Sequence, residues 1–287
     1  MSRPPSGDLP YFDKLADELA GDRNPVMAEI FGKNVHWGFW DDPGAATLTT
    51  DDFRAASDAM TRRLLRLAEP APGQRILDVG CGFGGTVAQL NEDHSGLDLV
   101  GVNIDARQIA RAVATVQPQA ARDNTIAFLV GDACALPFAD GSFDTLLAVE
   151  CIFHFPTRVA FFDEARRVLR PGGRLVVSDF VMRSWGRLPL VLMYRWFKRD
   201  VQAVYGTRHR FVPFSWYRVL ARRSGLMAGP IDDITRHTLP TYAALRKWAR
   251  YSGFDPRTYA NAHAVCEYGS KMGALAYAIL SFSKPAA

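Results

Sequence analysis

Five times between Arg75 and Val181 a short apolar run returns: RILDV at 75–79, LDLVGV at 97–102, IAFLVGD at 126–132, FDTLLAV at 143–149 and RLVVSDFV at 174–181. Helical patterns stand between most of them, among them ARQIARAVATV and RVAFFDEARRVLR, the latter stopped by the turn PGG at 171–173. Runs this short, apolar throughout and divided by helices, read as strands buried on both faces of a parallel sheet. The expected fold is therefore α/β: a Rossmann-like, doubly wound, mostly parallel sheet. A helix precedes it, DDFRAASDAMTRRLLRLAE, capped by Thr50 or Asp51 and ended by PAPG. After Val181 the rhythm breaks. A helical insertion is expected from 182 to about 214, then a helix SWYRVLARRSG closed by Gly225. A sixth strand over 229–235, helices over about 240–251 and 256–271, and ALAYAILSFSK as the final strand bring the sheet to seven. The chain thus divides into an N-terminal cap (1–50), an α/β core (51–181), a helical lid insertion (182–228) and C-terminal elements that complete the core (229–287).

At 287 residues, 48% hydrophobic and 22% charged, the chain has ample material for one elaborated globular domain. No apolar run approaches the roughly 20 residues needed to span a bilayer, and the N-terminus lacks the apolar stretch of a secretory signal, so a cytoplasmic protein is expected. Cys81, Cys134, Cys151 and Cys266 are scattered without C-x-x-C spacing. Reduced thiols are expected rather than a zinc site or disulfides, and no metal.

The first strand runs into ILDVGCGFGG, in which Gly80, Gly82 and Gly85 satisfy G-x-G-x-x-G. Such a strand–loop–helix unit brings backbone N–H groups and a helix N-terminus to the carboxyl end of the first strand, where ligands of open α/β sheets bind. Asp78 narrows the ligand. Beside a pyrophosphate its carboxylate repels; beside an ammonium it attracts and accepts hydrogen bonds. S-adenosylmethionine offers an amino group, a sulfonium and no phosphate, whereas the bland alternative is an acid that caps a local turn. After the second strand a dinucleotide site wants an acid for the ribose. Asn103 stands there, with Asp105 two residues on. Gly131-Asp132-Ala133 closes the third run and sets a carboxylate and an N–H where an adenine edge could meet them; a helix N-cap is the alternative for Asp132.

DVGCGFGG, VGVNIDARQIARA, VGDACALPFADGSFD and EARRVLRPGGRL resemble the successive motifs of class I S-adenosylmethionine-dependent methyltransferases. The resemblance covers roughly 51–181. VHWGFWDDP ahead of the sheet and ECIFHFP after the fourth strand resemble the small-molecule subgroup: sugar and natural-product O-methyltransferases, and tocopherol and sterol C-methyltransferases. The resemblance implies Asp78, Gly80 and Gly82 around the methionine moiety and Asn103, Ile104 and Gln108 around the ribose or adenine. It places Asp132 and Ala133 at the adenine edge, Glu150 beside the loop, and Tyr11, His36 and Trp40 in a segment closing over the cofactor.

Methyl transfer to a hydroxyl needs alignment and removal of a proton. His154, four residues beyond Glu150, is the candidate base; the alternative is a histidine packed between Phe153 and Phe155. Asp179, ending the fifth strand, could orient His154, bind a substrate hydroxyl or cap the segment after the strand. From Met182 to Gly225 ten Lys or Arg face one acid, Asp200, among nine aromatic residues. A roof of this kind suits a hydrophobic, anionic acceptor, or one taken from a membrane through residues 183–223. Most such arginines on helices merely solvate an outer face. No nucleic-acid module accompanies the charge. The expected activity is O-methylation of a small molecule. The alternatives are C-methylation of a prenyl, sterol-like or activated ring acceptor, N-methylation, and, from another class, NAD-dependent oxidation.

Overall fold

The computed structural model describes residues 10, 13, 14, 25–206 and 211–286. The early elements are α1 (Pro25–Phe31), α2 (Thr50–Ala68), β1 (Arg75–Val79), α3 (Gly85–Asp93), β2 (Asp98–Asn103), α4 (Ala106–Thr115) and β3 (Thr125–Val130). Then come β4 (Phe143–Val149), α5 (Arg158–Val168), β5 (Leu169–Met182), α6 (Arg187–Tyr205), β6 (Val212–Pro213) and α7 (Phe214–Ser224). The last are β7 (Met227–Asp233), α8 (Thr235–Thr238), α9 (Pro240–Trp248), α10 (Pro256–Lys271) and β8 (Leu275–Ser283).

The sheet runs β3-β2-β1-β4-β5-β8-β7, with two-residue β6 against β5. β1 to β5 pair in parallel, whereas β8 lies antiparallel between β5 and β7. The strand alternation explains why the runs are apolar throughout. Leu77, Val79, Leu175 and Val177 enter one core, with Phe161 and Phe162 of α5 and Tyr217 and Leu220 of α7. Ile76 and Val176, on the opposite face, enter a second core with Met60 and Leu64 of α2, Leu90 of α3 and Leu190 of α6. Each such side chain, fully buried, contributes roughly 1.5–3 kcal/mol. A third cluster, Ile30, Phe31, Trp40, Phe53, Leu245 and Trp248, ties the N-terminal segment to α2 and α9.

Four sequence expectations change. The cap of α2 is Thr49, whose hydroxyl accepts from the Asp52 amide, because Thr50 and Asp51 already lie inside the first turn. β3 is an edge strand and is not buried on both faces: Leu129 and Val130 are exposed. The sixth strand starts at Met227, with a register break between Ala228 and Ile231 around Gly229-Pro230, a sequence tolerated at a sheet edge. The segment 182–228 is not one insertion. α6 packs along α10, while α7 packs on α5 beneath the sheet, its Tyr217, Leu220 and Ala221 buried.

Candidate active site

The parallel register sets the carboxyl ends of the strands side by side: Val79 opposite Val102, Asn103 opposite Val130, Val149 opposite Ser178. The loop after β1 is held down by Gly80 and Cys81 amides donating to the Val102 carbonyl at 2.7 and 3.1 Å. Gly80 has φ +71°, and a Cβ there would fall 2.7 Å from the Cys151 Cβ. Only glycine permits that approach, so the pattern's first glycine is a packing requirement as well as a turn requirement. Gly82 also lies in the left-handed region, beside the Gln108 side chain.

Asp78 is 2% exposed, and its Oδ2 is buried with no hydrogen-bond partner among the described residues. Burial pushes its carboxyl up to about 8. A buried carboxyl without a partner is costly to ionise, and its cost is relieved by a cation delivered from outside. The chain's own residues therefore fit the amino-acid end of S-adenosylmethionine and oppose a pyrophosphate.

Asn103 and Gln108, both buried, brace one another: Asn103 Nδ2 donates to Gln108 Oε1 at 2.7 Å, and Asn103 Oδ1 accepts from the Ile104 amide at 2.9 Å. Ile104 itself is exposed on the rim. Asp105 caps α4 through the Arg107 amide. Asp132 accepts from the Cys134 amide at 2.8 Å, a turn two residues long with Ala133 at its centre, rather than a helix cap. These residues cluster at the ends of β2 and β3, one and two strands beyond Asp78.

On the other side, at the ends of β4 and β5, a cavity of about 630 Å³ opens beneath α6 and α10. Glu150, His154 and Asp179 all line it, with Trp37, Phe153, Phe180 and Phe211 among its apolar walls. Glu150 has φ +48°, an unusual backbone for a glutamate and worth about 1 kcal/mol of strain. Its Oε1 accepts from the Trp37 amide at 2.8 Å and from the Tyr277 hydroxyl. Burial outweighs these two donors and pushes its carboxyl up to about 8. His154, half-buried in a short 3-10 turn (Ile152–His154), meets the Phe153 ring edge-on at 4.3 Å. Asp179 accepts from Arg158 at 3.0 Å, from the Tyr217 hydroxyl and from the Phe180 amide. Burial pushes its carboxyl up, while Arg158 and Tyr217 draw it back; with the guanidinium fixed as a cation the two form a buried ion pair.

His36 also lines the cavity, its ring bonded to Thr61 Oγ1 and the Trp37 carbonyl, each at 2.9 Å, and held neutral by burial. Trp40 does not line it: its indole donates to Asp52 and packs by Phe53 in the third core, so its place is structural. Tyr11 lies outside the described residues.

Several participants were invisible as site residues in the sequence. Tyr277 reaches Glu150 because β8 pairs with β5, putting Tyr277 opposite Phe180. The one signal was a phenol inside an apolar strand, which needs a partner when buried. Arg158 and Tyr217 come from α5 and α7, and nothing local in sequence joins them to Asp179. On the far wall, His263 takes the Tyr205 hydroxyl on Nε2 and lies 2.7 Å through Nδ1 from the Tyr259 carbonyl; burial lowers it to about 4.

Fold and site together define an α/β protein whose glycine loop is floored by a buried acid and whose neighbouring strand ends, of β4 and β5, open into a largely apolar chamber. A methyltransferase-domain family profile matches residues 77–177. Methyltransferase GfsG of Streptomyces halstedii is 31% identical over 246 residues, 84% of each chain. The 27-O-demethylrifamycin SV methyltransferase of Amycolatopsis mediterranei is 29% identical over 245 residues, 84% of this chain and 82% of that one. Among solved structures, mycolic acid cyclopropane synthase CmaA1 complexed with S-adenosylhomocysteine superposes with a TM-score of 0.75 at 15% identity, covering 96% of this chain and 99% of the other. The chain belongs to the S-adenosylmethionine-dependent methyltransferases. It is an enzyme that uses S-adenosylmethionine, and the oxidoreductase alternative falls with that assignment.

Proposed function

We propose that the protein methylates a hydroxyl of a small, largely hydrophobic acceptor bearing an acidic group, with His154 as the general base. The observation that carries this reading is the chamber: its volume suits a drug-sized molecule, and His154 stands at its wall beside the ends of β4 and β5. Bound S-adenosylmethionine supplies a methyl carbon made electrophilic by the adjacent sulfonium. Asp78, Gly80 and Gly82 hold its amino-acid end; Asn103, Gln108 and Ile104 the ribose and adenine; Asp132 and Ala133 the adenine edge. Glu150 fixes the Trp37 backbone, so the wall of the acceptor chamber is set by a residue at the cofactor end of β4. Trp37, Phe153, Phe180 and Phe211 exclude water around the acceptor. His154 takes the hydroxyl proton as the oxygen becomes nucleophilic. Asp179, satisfied by Arg158 and Tyr217, shapes the floor and binds a substrate hydroxyl through its remaining capacity. Arg187 and Arg195, at the chamber's mouth and exposed, receive the acidic group, and contact with a membrane through residues 183–223 belongs to the same reading.

The aromatic walls favour one second reading, C-methylation, in which the rings stabilise positive charge on an alkene or ring acceptor. His154→Ala separates them. With hydroxylated acceptors, kcat falls by about 10²–10⁴ and its acid limb disappears, while S-adenosylhomocysteine binding measured by calorimetry is unchanged. Undiminished turnover of a hydroxyl acceptor removes His154 as base.

A further inference from the structure

We infer that the outward stripe of α6 docks the protein flat on an anionic lipid surface. The inference deepens the acceptor reading above, on which it rests for what passes into the chamber. Leu188, Val191, Leu192 and Trp196 recur at steps of three and four, so they share one side of the helix. Leu188 is 68% exposed and Trp196 86%. Trp185, also exposed, precedes the helix and lies over Gly273, next to exposed Met272, the C-cap of α10.

The opposite side of α6 is already used. Leu190, Val201 and Val204 are buried, and Tyr194 and Phe197 pack on the second core. A surface helix normally keeps one apolar face, and a helix apolar on both sides requires a second neighbour. The charges identify it. Arg187, Arg195, Lys198 and Arg199 are exposed around the stripe, and the helix's single acid, Asp200, is engaged by Asn261 at 3.0 Å. A second copy meeting this face about a two-fold axis would bring like charges together. Anionic headgroups would neutralise them while the tryptophans and leucines entered the acyl boundary. No helix of the described residues is long and apolar enough to cross a membrane, so the contact lies in the plane of the surface.

The stripe also borders the chamber. Arg187, Val191 and Arg195 are exposed and line the chamber at once. A lipophilic acceptor dissolved in the bilayer can therefore pass from the docked face to the chamber without crossing water.

Co-sedimentation of the full chain with phosphatidylcholine vesicles, with and without phosphatidylglycerol, tests this. Binding is expected to the mixed vesicles alone and to weaken with added salt. The combined variant Leu188→Ser/Leu192→Ser/Trp196→Ser should lose at least about tenfold of it, and Lys198→Ala about fivefold. Melting temperature and S-adenosylhomocysteine affinity should stay at wild-type values in both. Failure of the wild type to bind anionic vesicles, or full binding by the triple variant, overturns the inference. A wild-type dimer in sedimentation velocity that the triple variant converts to monomer assigns the stripe to a second copy instead. Docking without turnover of any lipophilic hydroxyl sinks the acceptor reading and leaves the docking standing.

Discussion

Replacing Asp78 with asparagine is expected to change the pH dependence of stability in one direction and cofactor binding in the other. The ordinary carboxyl titrates at 3.8, and in the folded, ligand-free protein burial moves it to about 8. The unfolded chain therefore gives up this proton first. Between those two values the folded state binds more protons, so rising pH favours unfolding. Each unit is worth 1.36 kcal/mol, and the loss accumulates to about 4 kcal/mol at pH 7, levelling near about 6 above pH 8. Asparagine cannot ionise. Its own buried amide has a pH-independent cost of about 1–3 kcal/mol, so the diagnostic quantity is the slope rather than the level. Glu150, also raised to about 8, adds a fall of the same sense in both proteins and cancels in the difference. Urea unfolding at intervals from pH 5 to pH 8 should show the wild type losing stability against Asp78→Asn throughout that window. Calorimetry should show the converse. Binding of S-adenosylhomocysteine at pH 7 should release about 0.9 proton from wild type, read from buffers of different ionisation enthalpy, and the variant should lose at least tenfold affinity, about the worth of one charge-assisted hydrogen bond. Parallel stability profiles for the two proteins, or proton release that survives the substitution, would refute the reasoning.

Two more outcomes are set by the site's packing. Gly80→Ala forces a side chain onto Cys151 from a φ of +71°, and should cost about 1–3 kcal/mol in urea unfolding together with measurable S-adenosylhomocysteine binding. Arg158→Met strands Asp179 without its counter-charge and should cost about 3–5 kcal/mol at pH 7. Adding Asp179→Asn should restore most of that loss, whereas a double variant as unstable as the single one would mean that packing, and not the ion pair, holds α5 to β5.

The core strands and the glycine loop were readable because their chemistry is local. A strand buried on both faces must be apolar throughout, and a loop pressed against Cys151 must contain glycine. Asp78 stood out for the same reason, since an acid ending such a strand needs a partner, and the structure finds it buried with one oxygen unpartnered among the described residues. What failed to read was determined at a distance. The IAFLVGD run gives no sign that it is an edge, because exposure there depends on the absence of a further strand. SWYRVLARRSG reads as a helix, yet only the sheet order reveals that it lies under α5 instead of over the chamber. Glu150's partners come from residues 37 and 277, which meet only once β8 has turned antiparallel beside β5.

The proposed reading puts donor and acceptor chemistry in different parts of this chain. On the proposed reading the cofactor residues sit at the ends of β1, β2 and β3, all before residue 134, whereas much of the chamber assigned to the acceptor is walled by α6 and α10. If that division holds, substitutions in those two helices change which molecule is methylated and leave affinity for S-adenosylhomocysteine unchanged.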